Sequence, residues 1–169
     1  MVDSSRDYLP DKGRRPAGMV HALTQVADQI HEDRLREILL ERESLGSTGI
    51  AEGVAIPHGK SKDVDKFLAS FGRSLPGIDF QSLDGKPTHL FSLLINPENS
   101  AEMHLKILAQ ISRPMKDPPF RNRLMVARSA EEIQSIFFEG GRKFEDALAL
   151  PVILNLLSNP LMNCCRWKK

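Results

Sequence analysis

The chain carries five histidines, His21, His31, His58, His89 and His104, and one of them sits in surroundings that suit chemistry. His58 follows a short β-type run, Val54 to Ile56, and Pro57, which fixes the backbone. It precedes Gly59, which has no Cβ to obstruct a close-approaching group. Functional residues of α/β sheets gather at strand ends, where an imidazole can be a metal ligand, a general base or a nucleophile. A metal site wants partners, and the sequence has no HExxH, no CxxC and no histidine cluster at ligand spacing. A serine triad wants a GxSxG elbow, which does not occur. A nucleotide site wants a Walker loop or GxGxxG, and Gly46-Ser47-Thr48-Gly49 is too short and lacks the lysine.

What remains is the imidazole as nucleophile toward phosphorus. With an unperturbed pKa of about 6.5, one ring nitrogen is free near neutral pH. The phosphoramidate product carries roughly two negative charges and wants a cationic or hydrogen-bonding cradle. Arg42, Ser47, Thr48 and His104 are candidates for it, provided the fold gathers them. On spacing alone, a turn histidine without chemistry stays open. His21 and His31, among polar neighbours in helical stretches, read as surface residues, and His89 reads as a polar group opening an apolar strand.

These residues need elements to position them. Val20, Leu23, Val26, Ala27 and Ile30, then Leu35, Ile38 and Leu39, recur at helical spacing, which predicts two helices or one bent helix ending near Arg42 to Leu45. Pro57 requires the Val54–Ile56 strand to end or to lie at a sheet edge. Phe67, Ala69 and Phe71 alternate as in a second strand, with turn signals at Pro76-Gly77 and Asp84-Gly85. Leu90 to Ile95 is a nearly continuous apolar run, as in a buried strand, stopped by Asn96-Pro97. Asn99 with Glu102, Asp117-Pro118, and Ser129 with Glu132 then predict three helix starts, the last helix ending before Gly140-Gly141. The fold class is α/β, a mixed β-sheet flanked by helices in a single domain. Residues 1–16 form an irregular lead-in, 17–140 the domain, and 141–169 a C-terminal extension whose Ala/Leu-rich stretch is compatible with a helix.

Composition agrees with one compact domain. The 169 residues are 41% hydrophobic and 27% charged, enough to bury a core and to dissolve it, which excludes a disordered chain or a fibre. Membrane insertion is not expected: the apolar run Ala147 to Leu157 is interrupted by Pro151 and Asn155 and falls short of the roughly 20 residues that cross a bilayer. A formal charge of +1 provides no global field for nucleic acid, and the basic ends read as solvated tails. Two adjacent cysteines, Cys164 and Cys165, with no apolar leader, point to a reducing, cytoplasmic compartment.

Glu41-Arg42-Glu43-Ser44-Leu45-Gly46-Ser47-Thr48-Gly49-Ile50, followed by Gly53-Val54-Ala55-Ile56-Pro57-His58-Gly59-Lys60, closely resembles the active-site signature of phosphotransferase-system enzyme IIA domains of the fructose/mannitol type. The Gly-Ser-Thr-Gly-Ile wording is most similar to the nitrogen-regulatory branch. The resemblance continues through Gly77 to Phe80, Leu83 to Pro87, Leu93 to Glu98 and His104-Leu105, and covers about residues 17 to 140. It implies that His58 accepts a phosphoryl group on Nε2 from the carrier HPr or its nitrogen-branch relative, with Nδ1 held by a backbone carbonyl. It also implies that His104 lies beside His58 and holds the phosphoryl group, that Arg42 lies near the same site, and that no cofactor or metal is needed. A regulator whose phosphorylation state controls partner binding follows from it. The alternative is a component that passes phosphate to a IIB domain for sugar uptake. Exposed apolar side chains are expected around His58 for the carrier to dock on. Two departures from the family pattern stand out: no apolar strand precedes the first helix, and residues from about Arg142 onward do not resemble the family.

Overall fold

The computed structural model describes residues 17–25, 27 and 29–139. The N-terminal lead-in and the C-terminal extension expected from the sequence lie outside the described residues. Helix α1 (Ala17–Thr24) buries Met19, Val20, Ala22 and Leu23, and helix α2 (Glu32–Ser44) buries Leu35, Ile38 and Leu39. The apolar periodicity of this region therefore resolves into two helices.

The sheet is built around one central strand. Four strands follow: β1 (Val54–Ala55), β2 (His58–Ser61), β3 (Leu68–Ile78) and β4 (Thr88–Pro97). β4 pairs antiparallel with β3 on one side and parallel with β1 and β2 on the other. Val54 is opposite Leu90 and His58 is opposite Leu94, so β1 and β2 keep one register across the gap at Ile56-Pro57. Leu94 N–H donates to the Pro57 carbonyl at 2.9 Å, which carries the ladder through the break. The ladder thus does not end at Pro57: Ala55 also bridges antiparallel to Gly49 on its outer side, and the proline is tolerated because the bond it makes to β4 uses its carbonyl and needs no amide hydrogen.

Side chains alternate across the pleat, and each face carries its own core. Phe91, Leu93 and Ile95 of β4 pack with Ala55, Leu68 and the buried faces of α1 and α2. Leu90 and Leu94 pack on the other face with Val54, Ile56, Ala69 and Phe71 and with three further helices, α3 (Ala101–Met115), α4 (Pro118–Val126) and α5 (Ala130–Glu139). The result is a mixed sheet between two helical layers, the α/β class expected.

Of three local expectations, two change and one holds. Asn99 does not cap α3: Ser100 is the N-cap residue and its hydroxyl donates to the Pro97 carbonyl instead of accepting from the helix. Asp117 does cap α4, accepting from Phe120 N–H, with Pro118 in the first turn as predicted. Pro76-Gly77 falls inside β3, where pairing with β4 shifts register between Arg73 and Ile78; the turn signal marks an irregularity in a longer strand.

Candidate functional site

His58 opens β2, and pleat parity fixes its direction. Val54 and Ile56 face the α3 layer, so His58 faces it too, while Gly59 turns to α2. A Cβ at Gly59 would lie 2.3 Å from Ile38 Cγ2. The glycine therefore makes room for α2, and not for an approaching ligand as the sequence reading supposed. Its absent side chain lets α2 sit close against the edge strand, and Arg42, one turn beyond Ile38, reaches the imidazole.

Two hydrogen bonds set the His58 tautomer. Nδ1–H donates to the Ile56 carbonyl at 2.7 Å, and the Arg42 Nε–H donates to Nε2 at 3.1 Å. A carbonyl can only accept and a guanidinium can only donate, so the ring is the neutral form with its proton on Nδ1 and a lone pair on Nε2. Burial pushes the His58 pKa below its ordinary value, and the Arg42 charge acts in the same direction, against the opposing influence of the Ile56 carbonyl and the Glu43 carboxylate. The ring is uncharged at neutral pH and half-buried.

His104 lies beside it. The ring centroids are 5.3 Å apart with a tilt of 51° between the planes. His104 is one turn into α3 and only 9% exposed, and its Nδ1 is buried without a hydrogen-bond partner. Burial lowers its pKa, as do the neighbouring His58, Lys60 and Arg42. A buried imidazole between cationic groups stays neutral, and two neutral rings with two cations nearby suit an anionic guest.

The structure brings His58, His104 and Arg42 together. Ser47 and Thr48 are placed differently: the Ser47 hydroxyl donates to the Phe80 carbonyl, and the Thr48 hydroxyl and amide donate to the two carboxylate oxygens of Glu43 at 2.6 and 3.0 Å. These bonds hold the loop that follows α2, and the Thr48 carbonyl accepts from Ile56 N–H at 3.0 Å, tying that loop to the segment that carries His58. Sequence reasoning missed two residues. Lys60 shares the His58 face of β2, a placement readable from period-two alternation, and Glu43 braces the loop while its charge bears on His58. Leu45, 82% exposed, ends α2, and Leu105, 67% exposed, follows His104, with Met103 on its other side. Exposed apolar side chains thus adjoin His104 along α3 and follow Arg42 at the end of α2. Among the described residues no group of three or more His, Cys, Asp or Glu could hold a metal ion, and no helix is long and apolar enough to cross a membrane.

Residues 20–140 match the family described as phosphoenolpyruvate-dependent sugar phosphotransferase system, EIIA 2. The chain is similar to a nitrogen regulatory protein of Bradyrhizobium diazoefficiens, 42% identical over 106 residues, 63% of this chain and 69% of that protein. It is also similar to a fructose-specific EIIA component of Haloferax volcanii, 37% identical over 107 residues, 63% of this chain and 70% of that protein. In three dimensions it resembles the nitrogen regulatory protein IIA-Ntr of Neisseria meningitidis, with a TM-score of 0.71 and 34% identity over 75% of this chain and 86% of that one.

Proposed function

The chain belongs to the EIIA 2 family of the phosphoenolpyruvate-dependent sugar phosphotransferase system, a family of phosphotransfer domains, and from that premise we propose that it is a cytoplasmic histidine phosphocarrier with His58 as the phosphoacceptor. The observation that carries the reading is the fixed neutral tautomer of His58, which presents an Nε2 lone pair beside a second neutral imidazole. An HPr-type carrier, or its nitrogen-branch relative, docks on Leu45, Met103 and Leu105 and brings its phosphohistidine in line with Nε2. The Nε2 lone pair then forms the new N–P bond while the carrier's N–P bond breaks, and the carrier's imidazole leaves with that electron pair. The transition state is loose, so the chain's contribution is positioning and charge compensation. Arg42 and Lys60 offset the phosphoryl charge. His104, with a proton on Nε2, donates to a phosphoryl oxygen: Nδ1, buried without an acceptor, is the nitrogen that better tolerates carrying only a lone pair. Ser47 and Thr48 act one step back, by holding the loop between α2 and β1.

The reading extends to regulation, in which the phosphorylation state of His58 decides which protein is bound; similarity to nitrogen regulatory proteins at 42% and 34% identity supports it. Similarity to a fructose-specific EIIA component supports a second reading, donation onward to a IIB domain for sugar uptake. Incubation with phosphoenolpyruvate, enzyme I and carrier should add one acid-labile, base-stable phosphoryl group, and His58→Ala should abolish it. Wild-type protein that stays unlabelled with a matched carrier overturns the phosphocarrier reading. Transfer from labelled protein to a IIB domain selects transport, and phosphate-dependent capture of another protein without such transfer selects regulation.

A further inference from the structure

Asn96 is a fully buried polar residue that ends the apolar run of β4, and it lies opposite Lys60 in the ladder. By strand parity it belongs to the His58, Lys60 and Leu94 face, the face that α3 covers. Its Nδ2 donates to the Pro97 carbonyl at 3.0 Å and is 3.1 Å from Ser100 Oγ. The Pro97 carbonyl only accepts, which fixes the orientation of the carboxamide and leaves Oδ1 as the other arm. That Oδ1 is buried without a hydrogen-bond partner, as is His104 Nδ1. The two orphans are linked through Ser100, which touches the Asn96 amide and whose carbonyl accepts from His104 N–H at 2.8 Å. A helical side chain leans toward the helix N-terminus, so the His104 ring leans back over the turn that Asn96 anchors.

We propose that Asn96 is a positioning residue for His104, its Oδ1 accepting the Nδ1–H of the His104 imidazolium. While His104 is neutral the pair is unmade, and both atoms stand orphaned. When a negative phosphoryl group arrives on His58, it draws a second proton onto His104. The ring then has two N–H groups to satisfy, one toward the phosphoryl oxygens and one toward Asn96. A buried acceptor that is unpaired costs stability at rest, and it becomes useful when the neighbouring ring gains charge. The groups that face His104 from other elements are His58 and Lys60 on β2 and Arg42 on α2. Lys60 and Arg42 are cations with no acceptor, and the His58 Nε2 lone pair becomes the N–P bond on phosphorylation, so none of them offers the buried-side acceptor that the carboxamide oxygen does. On α3 itself Glu102 is exposed and paired with Lys106 at 2.7 Å.

The inference adds a positioning residue to the site of the proposed phosphocarrier and rests on that reading for its purpose, but its test needs no phosphoryl group. The His104 and His58 imidazoles are titrated by nuclear magnetic resonance in wild type and in Asn96→Leu, a near-isosteric change that removes the acceptor. The expected result is a proton affinity of His104 about tenfold weaker in the variant, the worth of one charge-assisted hydrogen bond, with a smaller change at His58. An unchanged His104 overturns the proposal. If Asn96→Leu does not fold, wild type decides: at a pH where His104 is charged, its Nδ1–H should exchange slowly and show a hydrogen-bonded ¹⁵N shift, and rapid exchange with water overturns it. Failure of His58 to accept phosphate sinks the carrier reading and leaves these titrations as they are.

Discussion

Replacing Gly59 by alanine tests the packing that delivers Arg42 to His58. The new Cβ would sit 2.3 Å from Ile38 Cγ2 and 3.7 Å from Ile38 Cβ. Ordinary carbon contacts begin near 3.5 Å, so about 1.2 Å must come from Ile38 or from all of α2. Ile38 is buried in the core between α1, α2 and the sheet, where a rotamer change meets neighbours. Overpacking of this kind costs about 1–3 kcal/mol. Backbone strain does not add to it, because Gly59 is not among the positive-φ residues. Urea unfolding followed by circular dichroism should therefore show a lower midpoint with an unchanged slope, and the labelling rate should fall because a displaced α2 carries Arg42 away from Nε2. Ile38→Ala in the same chain should recover part of the loss, with a coupling of about 0.5–3 kcal/mol. A Gly59→Ala protein with the wild-type midpoint, or one whose loss simply adds to that of Ile38→Ala, refutes the account of why this position is glycine.

Three other outcomes follow from the geometry. Arg73 Nη1 donates to the carbonyls of Leu124, Met125 and Ala127 at 2.7, 3.0 and 2.8 Å, satisfying the end of α4 from β3; Arg73→Leu should cost about 1–3 kcal/mol of unfolding free energy and leave the labelling stoichiometry intact. Thr48→Val removes the hydroxyl that Glu43 accepts from and keeps the shape, so stability should drop by about 1 kcal/mol, measured by urea unfolding. His58 and His104 both titrate below 6.5 when folded and near it when unfolded, so below that pH the unfolded chain binds more protons. Their contribution is complete above pH 6.5 and is lost as pH falls toward the folded values; His58→Gln should flatten the decline in unfolding midpoint below pH 6.5.

Local signals made much of the molecule legible. The 3.6-residue period placed α1 and α2, and the nearly unbroken apolar run placed β4, because the helices bury one face and the strand both. The Asp117-Pro118 start was legible because a carboxylate acceptor and a residue without an amide hydrogen both suit a first turn. The site was less so. His58, His104 and Arg42 were named, but their meeting depends on pairs far apart in sequence: His58 against Leu94 in the ladder, and the two rings across the sheet–helix layer. Continuity of β1 into β2 across Pro57 was hidden for the same reason, since only the pairing of both with β4 shows that the register survives. Gly59 and Ser47 show the converse failure. Their types suggested roles toward a ligand, whereas Ile38 and the Phe80 carbonyl claim them, and nothing local to either residue announces those partners.

Arg42 poses the sharpest mechanistic question, because at rest it occupies the lone pair that must attack. Its Nε–H points at Nε2 while Nη1 donates to the Gly46 carbonyl at 3.1 Å. In-line attack on phosphorus needs that lone pair, so the Nε bond must break before the new N–P bond forms, and the same guanidinium must then turn to the phosphoryl oxygens. Keeping the Gly46 bond as a pivot lets one side chain do both without leaving the site. A hydrogen bond of a charged donor is worth about 1.5–3 kcal/mol, so its loss is a barrier that the incoming negative charge has to offset. Arg42→Gln removes the charge and the barrier together. The His58 pKa should then rise, since the guanidinium holds it down and no longer ties up Nε2. The attack should become less sensitive to the resting bond, while the phosphorylated state loses its cation and hydrolyses faster. Stopped-flow labelling combined with phosphohistidine lifetimes separates the two effects: a shorter lifetime with a first labelling step slowed by less than the lifetime loss fits the pivot. An unchanged lifetime shows that Arg42 never reaches the phosphoryl group and that its only partner is the resting imidazole.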